Sequence, residues 1–175
     1  TIFTETGSDE YLADFNGDGL AEMAVGRIAA RDGATITTAF SKMANWEQNL
    51  TANPLSRGVL FTHDLPDGYD FAGMNARLRN QLPMGTPTTM ISRGDPNPNP
   101  AIISSINAGK YFVNYSGHGS VGAWANSGFF SNTHVPQLTN ANTEPVFTML
   151  TCLNGYFLSV VGVSLAENLV QSTNG

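Results

Sequence analysis

The 175-residue chain carries a net charge of −6, and its 13% of charged residues falls well below the roughly 25% of an average globular protein. Its 41% hydrophobic content suffices for one real core, while Lys42 and Lys110 are its only lysines, so no basic stripe points to nucleic acid. No apolar run approaches the ~20 residues of a membrane span, and the lone cysteine, Cys152, excludes an internal disulfide.

Asp14-Phe-Asn16-Gly-Asp18-Gly19-Leu-Ala-Glu22 comes first. Oxygen side chains at alternate positions followed by glycine match the first half of an EF-hand loop, but the twelfth position is Val25 rather than an acid. Two readings stay open. A shorter loop wraps a structural calcium ion through Asp14, Asn16, Asp18 and Glu22, or the segment is a turn before a Met23–Val25 strand. Ala34 to Leu50 then places Ile36, Phe40, Met43 and Leu50 at helical steps. Residues 58–62 (Gly-Val-Leu-Phe-Thr) form a short apolar strand, and Asp70 caps a helix carrying Phe71, Met74, Leu78 and Leu82 on one face.

Residues 88–91 make a second strand. The proline-rich run 94–100 is a loop, with Asn99 and Pro100 suited to the cap and first turn of a helix through Ile106. Residues 110–115 (Lys-Tyr-Phe-Val-Asn-Tyr) and 145–150 (Pro-Val-Phe-Thr-Met-Leu) read as buried strands, separated by a long loop rich in glycine and asparagine. A last helix runs near Ser164 to Val170. Alternating strands and helices predict a mainly parallel sheet flanked by helices in three layers, as a single α/β domain over residues 1–175.

In such a sheet, functional groups gather beyond the carboxyl ends of the strands. The 110–115 strand runs into Ser116-Gly117-His118-Gly119, and the 145–150 strand into Thr151-Cys152. If these strands are neighbours, a base meets a thiol, the minimal apparatus for thiolate attack on a carbonyl. His63 and His134 lack a comparable setting. Trp124 and Phe129-Phe130, in the intervening loop, either wall a substrate cleft or cover the sheet edge.

The paired segments Asn114-Tyr-Ser-Gly-His-Gly-Ser120 and Met149-Leu-Thr-Cys-Leu-Asn-Gly155 resemble the gingipain-type cysteine peptidases, family C25, relatives of caspases and legumain. Ala24-Val-Gly-Arg-Ile28 and Ser164-Leu-Ala-Glu167 add to the likeness, which covers most of the chain. The resemblance implies a caspase-like fold with Cys152 as nucleophile, His118 as its base, and the amides of Gly119 and Cys152 as the oxyanion hole. It implies an acidic residue orienting the histidine: Asp64, at the end of the 58–62 strand, is expected there, with Asp67 its nearest competitor and an ordinary loop aspartate the plain alternative. It also places Asp70 where relatives carry the acid that holds a basic P1 side chain, beside its role as a cap.

The chain is therefore expected to be a secreted or bacterial cell-surface cysteine endopeptidase acting on protein or peptide substrates, with no organic cofactor. The family continues with a further strand, so residues 1–175 are expected to be part of a longer, multidomain chain. Two other functions remain open: a signal-processing transpeptidase of an outer-membrane secretion system, in which an amine replaces water, and a non-catalytic, calcium-dependent surface module.

Overall fold

The computed structural model describes residues 9–125, 128–160 and 162–175. Four strands form a parallel sheet: β1 (Val59–His63), β2 (Thr88–Ser92), β3 (Phe112–Ser116) and β7 (Val146–Leu150), in the order β2-β1-β3-β7. Each begins within two residues of the expected run. The helices are α1 (Gly33–Gln48), α2 (Phe71–Arg79), α3 (Pro98–Asn107) and α4 (Leu165–Gln171). Asp32 caps α1 by accepting the Thr35 amide, and Asp70 caps α2 by accepting that of Gly73 at 2.8 Å. A reciprocal capping box of Ser164 and Glu167 opens α4.

The two faces of the sheet differ, because successive side chains of a strand point opposite ways. Leu60, Val113 and Tyr115 face a core shared with Ile102 and Ile106 of α3 and Leu165 and Leu169 of α4. The other face meets α2 through hydrogen bonds. The buried Asn75 accepts from Asn114 Nδ2 at 2.9 Å and from Ser116 Oγ at 2.7 Å, and donates to the Thr62 carbonyl at 2.9 Å. Thr148 completes the chain by donating to Asn114 Oδ1 at 2.8 Å. Helices thus cover both faces, and the polar face ties β1, β3 and β7 to α2 through fully partnered amides.

Several expectations are corrected. Met23–Val25 forms no strand. Asn97, not Asn99, precedes α3, in a left-handed conformation and without a side-chain cap; the Asn99 side chain instead donates to the Phe129 carbonyl at 2.9 Å. The long loop after His118 folds into a small antiparallel sheet of β4 (Gly119–Ser120), β5 (Ala123–Trp124) and β6 (Phe130–Ser131). The apolar stripe of α1 is largely exposed at Ile36, Phe40 and Met43, and its buried residue is Ala39. Lys42 links α1 to the end of α4, donating to the carbonyls of Leu169, Ser172 and Gly175 at 2.8–3.0 Å. Burial lowers the pKa of that ammonium.

Trp124 is no cleft wall. It is fully buried, stacked on Tyr115 at 4.7 Å and 10°, with Phe130 4.7 Å away. Burying a ring of this size removes far more apolar surface from water than a cleft-lining position would, and this cluster holds the small sheet against the core.

Candidate active site

Strands β3 and β7 are adjacent and parallel, with Ser116 opposite Leu150. His118 lies two residues beyond Ser116 and Cys152 two beyond Leu150, so equal offsets from a shared register bring both to the same sheet edge. The Gly117 amide donates to the Leu150 carbonyl at 3.3 Å, extending the ladder into the loops. The Cys152 thiol is free and exposed.

Two glycines let the histidine loop pack closely, Gly117 against Tyr115 and Asp64 and Gly119 against the cysteine loop. A Cβ at Gly117 would run into the Tyr115 hydroxyl and lie 2.5 Å from Asp64 Cβ. A Cβ at Gly119 would run into Thr151 Oγ1 and lie 2.8 Å from the Cys152 carbonyl oxygen. A side chain at either position would collide, and at Gly119 its absence lets the histidine loop approach the Cys152 backbone.

Asn154, within the quoted cysteine segment but given no role by the sequence, pins the second loop. Buried, it donates through Nδ2 to the carbonyls of Ser120 at 2.6 Å and Ala123 at 3.1 Å. Its own amide returns to the Cys152 carbonyl at 2.8 Å, closing a tight turn around Leu153, which sits at φ 62°. A left-handed leucine costs ~1–3 kcal/mol and persists only where its surroundings over-determine it. Here the strained residue directly follows Cys152, whose side chain is exposed.

The acidic partner of His118 is Asp67. Its Oδ2 lies 2.6 Å from His118 Nε2, with both side chains about half exposed. Phe71, at the start of α2, meets the imidazole edge to face at 5.5 Å. Asp64 does not reach the ring. It is 3% exposed, 2.5 Å from Arg93 Nε, and accepts the Leu65 amide at 2.7 Å. The arginine arrives from the end of β2, where its amide bonds to the His63 carbonyl, and so claims the carboxylate that ends β1. Among the described residues no hydrogen bond joins the thiol to the imidazole, whose Nε2 is held by Asp67. Asp70 is exposed at the N-cap of α2, one oxygen on Gly73.

His134, off the site, accepts the Ser131 amide through Nδ1, and burial lowers its pKa.

In the acidic loop, carboxylate oxygens of Asp14, Asp18 and Glu22 lie within 4.8 Å of one another. Asp14 accepts the amides of Gly17 and Gly19 at 2.7 and 2.9 Å. Asn16 braces the loop, donating through Nδ2 to Glu22 at 2.7 Å and accepting the Asp18 amide at 2.9 Å. Its amide nitrogen, not its oxygen, faces Glu22.

The family model for peptidase family C25 matches residues 1–175. The chain belongs to peptidase family C25. Gingipain R2 of Porphyromonas gingivalis is 31% identical over 160 residues, 86% of this chain and 22% of that protein. Gingipain R1 of the same species is 31% identical over the same share of this chain and 16% of its own length. The crystal structure of the Arg specific cysteine proteinase gingipain R (RgpB) superposes with a TM-score of 0.77 at 28% identity, covering 98% of this chain and 41% of that one. The complex of the RgpB pro- and mature domains gives a TM-score of 0.78 and covers 42% of that chain. This C25 chain therefore has the caspase-like α/β fold and spans less than a quarter of its curated relatives' length. Among the described residues no helix is long and apolar enough to cross a membrane.

Proposed function

We propose that this C25 chain carries the Cys–His machinery of a secreted or cell-surface cysteine endopeptidase. The observation that supports this best is the in-register exit of His118 and Cys152 from β3 and β7, with Gly119 packed on the Cys152 backbone. The thiolate of Cys152 attacks the scissile carbonyl, forming a C–S bond and an oxyanion held by the amides of Gly119 and Cys152. His118 gives its proton to the leaving amine as the C–N bond breaks. Water then hydrolyses the thioester and regenerates the thiol. Asp67 holds Nε2, leaving Nδ1 for that proton transfer.

RgpB is named an Arg specific proteinase. An arginine at P1 needs a facing carboxylate, and exposed Asp70, three residues after Asp67, is the candidate. The test is a P1-varied fluorogenic peptide library with the full-length protein, with and without a thiol-reactive inhibitor. Inhibitor-sensitive cleavage favouring basic P1 residues is expected. Cleavage untouched by the inhibitor would reject the cysteine mechanism, and indifference to P1 charge would leave Asp70 as a cap alone.

Calcium is the proposed structural ligand of the 14–22 loop. Three carboxylates converge there, and among the described residues no cationic side chain forms an ion pair with them. Asp14, Asp18 and Glu22 would supply hard oxygen ligands, and Asn16 would join them only by turning its amide. Chelation is expected to lower the melting temperature by ~5–10 °C if the ion stands near a hundred times its Kd. An unchanged melting curve would leave the loop as a self-bonded turn.

A further inference from the structure

The phenol of Tyr115 is a buried polar group that the chemistry above leaves unused. Its ring is fully buried and stacked on Trp124, and its hydroxyl donates to the His118 carbonyl at 2.5 Å. That carbonyl also accepts the Ala125 amide at 2.7 Å. Ala125 sits at φ 46°, a left-handed conformation that alanine adopts only when held there. Both acceptor positions of one backbone oxygen are thus filled, one by a donor on a rigid aromatic stack.

A trans peptide is planar, with its C=O and N–H pointing opposite ways. Fixing the His118 carbonyl toward Tyr115 and β5 therefore fixes the Gly119 N–H away from them. The strand register agrees. Gly119 faces Trp124, and the Ala125-to-His118 bond makes that pair a non-hydrogen-bonded one, so β5 does not take the Gly119 amide. The same peptide packs against the Cys152 backbone.

We propose that Tyr115 is a positioning residue whose hydroxyl locks the His118–Gly119 peptide plane, so that the Gly119 N–H is preorganised as an oxyanion donor beside Cys152. This rests on the peptidase reading, since without acyl transfer there is no oxyanion to hold. Burial, reinforced by the charge of Asp64, pushes the phenol's pKa above its ordinary range, so the donor stays protonated at working pH.

Tyr115→Phe in the full-length protein keeps the ring and deletes the hydroxyl. Two reactions of Cys152 separate its roles. A peptidyl aldehyde adds to the thiol through a new C–S bond and places its oxygen in the oxyanion hole. Iodoacetamide is attacked at an sp3 carbon, with iodide leaving and no oxyanion formed. The Phe variant is expected to lose ~10-fold or more in kcat and in aldehyde affinity, short of the ~100-fold or greater loss when an oxyanion donor is removed outright. KM and the alkylation rate should stay within about two-fold. Unchanged kcat and aldehyde affinity would overturn the role, as would alkylation falling in step with turnover, which would place the effect on the thiol itself. Should the Phe variant fail to fold, 3-fluorotyrosine at position 115 alters donor strength in place, and kcat must then move while alkylation does not. Turnover that survives Cys152→Ala would instead remove Cys152 as the nucleophile, and with it the role of Tyr115 beside it.

Discussion

Replacing Cys152 with alanine is expected to cut peptide turnover by ~10⁴-fold or more, as when other covalent peptidases lose their nucleophile. The melting temperature should hardly move. Cys152 is exposed and its thiol free, so the substitution opens no cavity and strands no partner. Surface changes of that kind stay within about 0.5 kcal/mol, or ~1–2 °C for a domain of this length. The strained turn at Leu153 is closed by backbone groups and by Asn154, all of which remain. Loss of turnover with an intact melt isolates chemistry from folding. Residual turnover near that of the natural protein would remove cysteine as nucleophile, and a melting temperature lowered by many degrees would recast Cys152 as a packing residue.

The parallel sheet was legible because β1, β3 and β7 are short apolar runs, each ending on a glycine, proline or polar stop. His118 and Cys152 were legible because a shared sheet and equal offsets from the strand ends leave little freedom. The β4–β6 sheet was not, since strands of two residues are too short to show a period. Trp124 read as a loop aromatic because its burial depends on Tyr115, Phe130 and Phe147, which only the fold assembles around it. Helical period identified the apolar face of α1 but says nothing about what covers it. Asn154 and Tyr115 act on backbone carbonyls, and a carbonyl leaves no mark in sequence. Asn154-Gly155 signals a turn there, but not the two carbonyls about 30 residues away that its side chain holds.

The choice between Asp64 and Asp67 is the sharpest case, and the two are expected to separate cleanly on mutation. Asp67→Asn keeps the shape and removes the charge beside His118 Nε2. It should lower kcat by ~10- to 100-fold, less than the ~10⁴-fold effect of the buried carboxylate in the serine triad, because this pair is half exposed. Stability should barely change, as exposed ion pairs contribute ~0–1 kcal/mol. Asp64→Asn should do the reverse. It leaves Arg93 facing a neutral amide at a mostly buried position, for an expected cost of ~1–3 kcal/mol and a melting temperature lower by several degrees. The folded fraction should keep its kcat, since the His118 pairing is untouched. Measuring kcat and melting for both variants below the transition decides the assignment. If Asp64→Asn lost turnover while still folded, and Asp67→Asn did not, the carboxylate at the end of β1 would orient the histidine after all, and the Asp67 contact would be a surface pair without a catalytic task.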